Sequence, residues 1–237
     1  MAFLPFSRPV VLQLRSGFRF RVRSLMDAWI VKETRLDRQY LSTARVQDGW
    51  TVIDVGAGIG DFAILMAREH PHSRIYAYEP FPPSYALLQQ NIALNGVGNV
   101  TPFPAAVGAV RGTARLFLEG DAVQHSVSKR SVNATAPFVE VQTLTLMDVL
   151  EQNGIERCDV LKMDCEGCEF DVLLNASAEV LQRITQIWLE YHDGYSRYTH
   201  LHLVDHLQQH GFQVRVKPSP VHRHLGLLFA SADAAAA

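Results

Sequence analysis

Four acids and a histidine stand where short apolar runs end: Asp54 in TVIDVG, Glu79 in RIYAYEP, Asp164 in CDVLKMD, and Glu190 with His192 in ITQIWLEYH. Carboxylates hold hydroxyls and cations, and an imidazole takes up a proton near neutral pH. Together they suit a polyhydroxylated or cationic ligand and the acceptance of a proton from it. After Asp54, the run VIDVGAGIGDFAI sets Gly56, Ala57, Gly58 and Gly60 between an apolar strand and an amphipathic helix. Glycines there allow unusual dihedrals and close approach of a ligand, while the helix start presents free N–H groups to a carboxylate or phosphate.

Glu79 follows at close to the roughly 20-residue offset at which an acid reaches ribose hydroxyls in nucleotide-binding units. Asp54 would repel a pyrophosphate and attract an α-ammonium, which favours S-adenosylmethionine over a dinucleotide. Pro80 after Glu79, and Ala106 and Val107 in PAAVG, complete the expected cofactor set, the last two lining an adenine.

The reactive end is expected at MDCEGCEF. Asp164 closes its strand, Gly167 permits a sharp turn, and Glu166 and Glu169 either meet ligand or favour a helix N-terminus by charge–dipole attraction. Lys162 shares the Asp164 face of a regular strand, so a salt bridge between them is expected. Asp164, Glu166, Glu190 and His192 are the candidate catalytic residues.

No metal site is expected from the cysteines or the histidine stripe, and a Mg²⁺ held by carboxylates stays open. Cys165-x-x-Cys168 has zinc spacing, but Cys158 alone is left as a third thiol, and small residues beside a glycine turn account for the pair. His202, His206 and His210, at helical spacing, read as a wet stripe beside Leu203 and Leu207.

The elements that position these residues alternate. From Gly49 onward, strands TVIDVG, RIYAYEP, CDVLKMD and ITQIWLEYH interleave with helices DFAILMAREH, PPSYALLQQNIALNG, MDVLEQNG and one after EGCEF. That rhythm implies a Rossmann-like α/β domain with a mostly parallel sheet. The pieces VTPFPAAVG, ARLFLEG and FVEVQTLTL are expected to continue the sheet. A helix LHLVDHLQQHG and strands FQVRVKP and LGLLFASA, joined too briefly for a crossover, end it antiparallel.

Ahead of this lies a hairpin, VVLQLRS and FRFRVRS, turning at Ser16-Gly17, and then a helical stripe of Met26, Trp29, Ile30, Leu36 and Tyr40. The expected division is an N-terminal extension over 1–48, a methyltransferase-like domain over 49–231 and a frayed tail over 232–237.

Of 237 residues, 48% are hydrophobic, enough for one substantial core. Net charge is −2, yet residues 1–38 hold eight Arg or Lys against three Asp or Glu. Arg19, Arg21 and Arg23 alternate with Phe18, Phe20 and Val22, as the wet and dry faces of one strand do. Three clustered cysteines and the lack of a long apolar run point to a cytoplasmic protein with no membrane insertion.

The motifs resemble the FkbM-type methyltransferase family over nearly the whole chain. VIDVGAGIGDFAI is similar to DVGAxIGxF, YEPFPPSYALLQQNIALN to ExxPxxxxxLxxNxxLN, and LKMDCEGCEFDVL to KxDxEGxExxVL. VQTLTLMDVL is similar to the family's threonine-leucine-aspartate element, with Leu146-Met147 placed before Asp148. The resemblance implies methyl transfer from S-adenosylmethionine, usually to a hydroxyl of a sugar, glycan or secondary metabolite. Two other readings stand beside it: a nucleotide-dependent oxidoreductase, which lacks a well-placed Tyr-x-x-x-Lys pair, and a cofactor-binding module without turnover. Nucleic acid is not an expected partner, given the acidic balance and the absence of an Asn/Asp-Pro-Pro-Tyr/Phe motif.

Overall fold

The computed structural model describes residues 5–37, 40, 46–117 and 137–232. Strands β1 (Pro5–Gln13) and β2 (Arg19–Ser24) form the antiparallel N-terminal hairpin, turning through Gly17 at φ 82°. Helix α1 (Leu25–Arg35) starts where the Ser24 hydroxyl accepts the Asp27 N–H.

Then come β3 (Thr51–Val55), α2 (Asp61–Glu69), β4 (Arg74–Tyr78), α3 (Pro82–Asn95), β5 (Val100–Phe103), β6 (Ala105–Val107) and β7 (Gly112–Phe117). The second half holds β8 (Phe138–Leu144), α4 (Leu146–Gln152), β9 (Cys158–Met163), α5 (Cys168–Leu174), α6 (Ala178–Gln182) and β10 (Ile184–His192). It closes with α7 (His200–Gln209), β11 (Gln213–Pro218) and β12 (Leu225–Ser231).

Seven strands make the main sheet in the order β11-β12-β10-β9-β3-β4-β5, parallel from β10 to β5, with β12 antiparallel to both its neighbours. Both faces are covered, so the central strands are mostly apolar. Ile53, Leu161 and Ile187 pack with Phe170 and Leu203 on one face, and Val52, Val160 and Trp188 with Phe62 and Met66 on the other. The chain leaves β3 toward β4 and later returns on its other side through β9. This places the switch point, where open α/β sheets bind ligands, at the C-terminal ends of β3 and β9.

Four expectations change. VTPF joins the main sheet as β5, but β6, β7 and β8 form a separate three-stranded sheet, because β8 pairs with β6 and β7 and leaves β5 as the main sheet's edge. The buried stripe of α1 is Asp27, Val31 and Thr34, while Trp29 and Leu36 are exposed. The arginine side of β2 is solvated only in part, with Arg19 exposed and Arg21 and Arg23 half-buried opposite the buried Phe20 and Val22. Arg21 N–H donates to Asn91 on α3, Arg19 reaches the Leu94 carbonyl, and Arg23 donates to Ser84. A short helix, α6, capped by Ser177, follows the one expected after EGCEF.

The hairpin shares a core with the body, since Phe18, Phe20 and Val31 pack with Ile59, Ile64 and Leu87. The 233–237 part of the tail and the ARLFLEG segment beyond Phe117 lie outside the described residues. Among the described residues, no helix is long and apolar enough to cross a membrane.

Candidate active site

A cavity of about 270 Å³ opens over the C-terminal ends of β3, β4, β9 and β10. Its wall takes Gly56 and Gly58 from the β3–α2 loop, Glu79 and Pro80 after β4, Ala106 and Val107 from β6, and Asp164 and Glu166 after β9. Glu190 and His192 from β10 complete it, and α1 adds Met26, Ile30, Glu33 and Thr34. The expected residues Asp54, Ala57 and Gly60 are not in that wall.

Gly56, at φ 73°, is dictated by backbone packing: a Cβ there would stand 1.9 Å from the Asp164 carbonyl oxygen. The glycine loop therefore rests directly on the loop that carries the candidate acids. Gly58 is the position open to a ligand, with φ 55° and nothing within 4 Å of where its Cβ would be.

The Gly58 N–H donates to Glu79 Oε2 at 2.8 Å and the Phe81 N–H to Oε1 at 2.8 Å, which fixes the carboxylate at the cavity wall. Burial pushes Glu79 up to about 7 against the pull of those N–H groups and of Arg23 and Lys162. A nearly buried carboxylate held this way, beside an open glycine, fits the ribose and aminoacyl ends of S-adenosylmethionine.

Asp54 lies fully buried beneath the loop, 3.0 Å from Lys162 Nζ. The expected Lys162–Asp164 bridge is thus replaced by Lys162–Asp54, because these two residues are direct partners across the parallel β3–β9 pair. Burial works against the charge of Lys162, but Asp54, Asp164 and Asp61 around it outweigh burial and hold it above the usual lysine value. Lys162 also donates to the Gly56 carbonyl at 3.2 Å, so the ion pair pins the glycine loop from below.

Asp164, Glu190 and His192 each bring one ligand-type atom within 4.8 Å of the others. His192 is buried, with Nδ1 3.3 Å from Glu169 and Nε2 3.5 Å from Glu166. Burial disfavours its charge, yet Glu169, Glu166 and Asp164 outweigh that and push it up to about 10. Glu190 moves up to about 8, first through burial and then through Asp164 and Glu166. The two candidate bases are therefore set apart: His192 is cationic at neutral pH, and Glu190 titrates close to it.

Glu169 is fully buried and is not in the cavity wall. It accepts the Cys165 N–H at 2.9 Å and the Gly167 N–H at 2.8 Å, which makes it the clasp of the 164–169 loop. Glu166 is the one described non-glycine residue at positive φ, 55°. The cysteine expectation is corrected: Cys165 and Cys168 are joined by a disulfide, their Cα atoms 5.4 Å apart across the turn.

Three further groups complete the site. Tyr40 is nearly buried and its hydroxyl donates to Asp164 Oδ2 at 3.3 Å. Asp61, in the wall at the start of α2, accepts the Thr34 hydroxyl and is raised by burial to about 6. Tyr195 packs edge-on to His192, and a side chain at position 167 would strike its Cβ at 2.8 Å. Asp61 is visible in sequence as the acid opening the helix after the glycines, whereas no sequence signal brings Tyr40 to Asp164.

Residues 54–214 match the Methyltransferase FkbM domain. The chain is 28% identical over 221 residues to the 31-O-demethyl-FK506 methyltransferase FkbM of Streptomyces tacrolimicus, covering 81% of this chain and 84% of that protein. It is 23% identical over 190 residues to the hexuronic acid methyltransferase AglP of Haloferax volcanii, covering 78% and 75%. In fold it is similar to M. jannaschii TYW2 in complex with AdoMet, with a TM-score of 0.51, 16% identity and coverage of 97% and 92%. The glycine loop, the clasped Glu79 and the acid-rich β9 turn all fall within the matched span, and the chain belongs to the FkbM methyltransferase domain family, whose methyl donor is S-adenosylmethionine.

Proposed function

We propose that this protein is a cytoplasmic O-methyltransferase acting on a hydroxyl of a sugar, glycan or secondary metabolite, with Glu190 as the proton acceptor. The observation that carries this reading is the pairing of Glu190, raised to about 8, with Asp164 in the same cavity wall as Glu79. The sheet order supports a division of labour: Glu79 follows β4 on one side of β3, and Asp164 and Glu190 close β9 and β10 on the other. The FkbM relative, a 31-O-demethyl-FK506 methyltransferase, and the AglP relative, a hexuronic acid methyltransferase, support a hydroxylated acceptor.

When bound, the cofactor supplies an electrophilic methyl on a sulfonium, a leaving group that needs no acid. The protein must align the acceptor oxygen and remove its proton. Gly58 and Glu79 hold the donor's polar groups. Asp164, oriented by Tyr40, accepts a hydrogen bond from a neighbouring hydroxyl of the acceptor, Glu190 takes the proton of the reacting hydroxyl, and His192 offsets the charge that Glu190 would otherwise hold against Asp164 and Glu166. Met26, Ile30 and Val55 give the cavity an apolar side that excludes water.

The test is a panel of hydroxylated sugars, glycans and metabolites incubated with S-adenosylmethionine, reading S-adenosylhomocysteine release. Turnover with hydroxyl acceptors is expected. Turnover confined to amines, or none with protein that binds the cofactor, overturns the assignment.

One observation favours a second reading: the spacing of Asp164, Glu190 and His192 also suits a divalent cation that would polarise the acceptor hydroxyl. Dialysis against a chelator separates the two, since full turnover afterwards removes the cation and turnover restored only by Mg²⁺ or Mn²⁺ establishes it.

A further inference from the structure

We propose that Cys165 and Cys168 are a reversible dithiol/disulfide modification site that sets the loop bearing Asp164 and Glu166. Both cysteines stand in the cavity wall, on either side of Glu166-Gly167. They occupy the two positions that DxEGxE leaves open, so the pair is a property of this chain and not of the signature it carries.

The loop they bridge is already held at two points by the Glu169 clasp, and it contains Glu166 at φ 55°. A cross-link from residue 165 to 168 confines that turn in the same conformation. In the cytoplasm proposed above, a disulfide beside reacting groups marks redox sensing more often than structural support.

The chemistry needs only an external disulfide. Cys165, the more exposed of the two, attacks one of its sulfurs as the thiolate and releases one thiol. The Cys168 thiolate then attacks the Cys165 sulfur of the mixed disulfide, forms the 165–168 bond and releases the second thiol. Two electrons pass to the external disulfide, and the two cysteine protons end on the released thiols. The effect on catalysis rests on the methyl-donor reading of the cavity; the modification itself does not.

The full chain is equilibrated in graded mixtures of reduced and oxidised glutathione, alkylated and read by mass. Labels are expected on Cys165 and Cys168 together, appearing in one two-electron step, while Cys158, fully buried in β9, stays unlabelled in the native protein. Amide exchange at Cys165 and Gly167 is expected to lose protection on reduction, and the C165S/C168S double variant is expected to match the reduced protein in every buffer. Both sulfurs labelled in the most oxidising mixture, or equal exchange in the two forms, overturns the proposal.

A calorimetric titration with S-adenosylhomocysteine tests the other reading independently. Tighter binding by the oxidised form ties the switch to the cofactor site, and no binding by either form overturns the methyl-donor reading while labels and exchange decide the redox proposal.

Discussion

In the proposed reaction Glu190 accepts the proton rather than His192, because its surroundings raise Glu190 to about 8, whereas three carboxylates raise His192 to about 10. Glu190→Gln is therefore expected to lower kcat by roughly 10²–10⁴-fold while leaving S-adenosylhomocysteine affinity intact. Because the base must be ionised, wild-type kcat is expected to climb with pH up to about 8 and then level, and the variant to lose that rise. A flat wild-type profile refutes the assignment. Glu79→Ala should act on the other quantity, weakening cofactor binding by about 1.5–3 kcal/mol as read by calorimetry. At this scale the sequence was legible for most of the strand-end acids: Glu79, Asp164, Glu166, Glu190 and His192 reach one cavity, whereas Asp54 is buried beneath the glycine loop. Tyr40 was not legible, because its contact with Asp164 spans 124 positions and no periodicity encodes a pairing that distant.

Between elements, the Asp54–Lys162 pair joins β3 to β9 inside the sheet, with both partners buried. Lys162→Met leaves Asp54 buried and unpaired, which is expected to destabilise the fold by about 3–5 kcal/mol in chemical denaturation. Adding Asp54→Asn should recover part of that loss, since the stranded charge goes with it. If the single variant is as stable as the wild type, the pair is not what secures the glycine loop. Strands and helices were readable here because β9 and β10 are rich in apolar residues and α4 starts at the Thr145 capping box. Which strand pairs with which was not readable. The short strands β6 to β8 form their own sheet through partners separated in sequence, and the lysine's partner depends on parallel register, which local pattern does not contain.

For the molecule as a whole, four groups, Glu79 and His192 buried and Asp61 and Glu190 half-buried, tie stability to pH in one direction. Asp61, Glu79 and Glu190 are raised to about 6, 7 and 8, and His192 to about 10. A group raised on folding contributes stability that is complete below its unfolded value and is lost as pH climbs through its folded one. Thermal midpoints of the cofactor-free protein are therefore expected to fall steadily from pH 5 to pH 9, and a midpoint that rises across that range would contradict the burial of these acids. The N-terminal hairpin and α1 belong to this whole: the sequence marks them as an appendage, yet they share a core with α2 and α3 and close the cavity's side.

Gly56 has a consequence for how such an enzyme can diversify. Since its α-carbon lies against the Asp164 carbonyl, the donor loop and the acid loop share one point of support, and a change that displaces either is felt by both. New acceptor preferences are then more readily acquired through Met26, Ile30 and Glu33 on α1, a wall that can be rebuilt without disturbing the shared support.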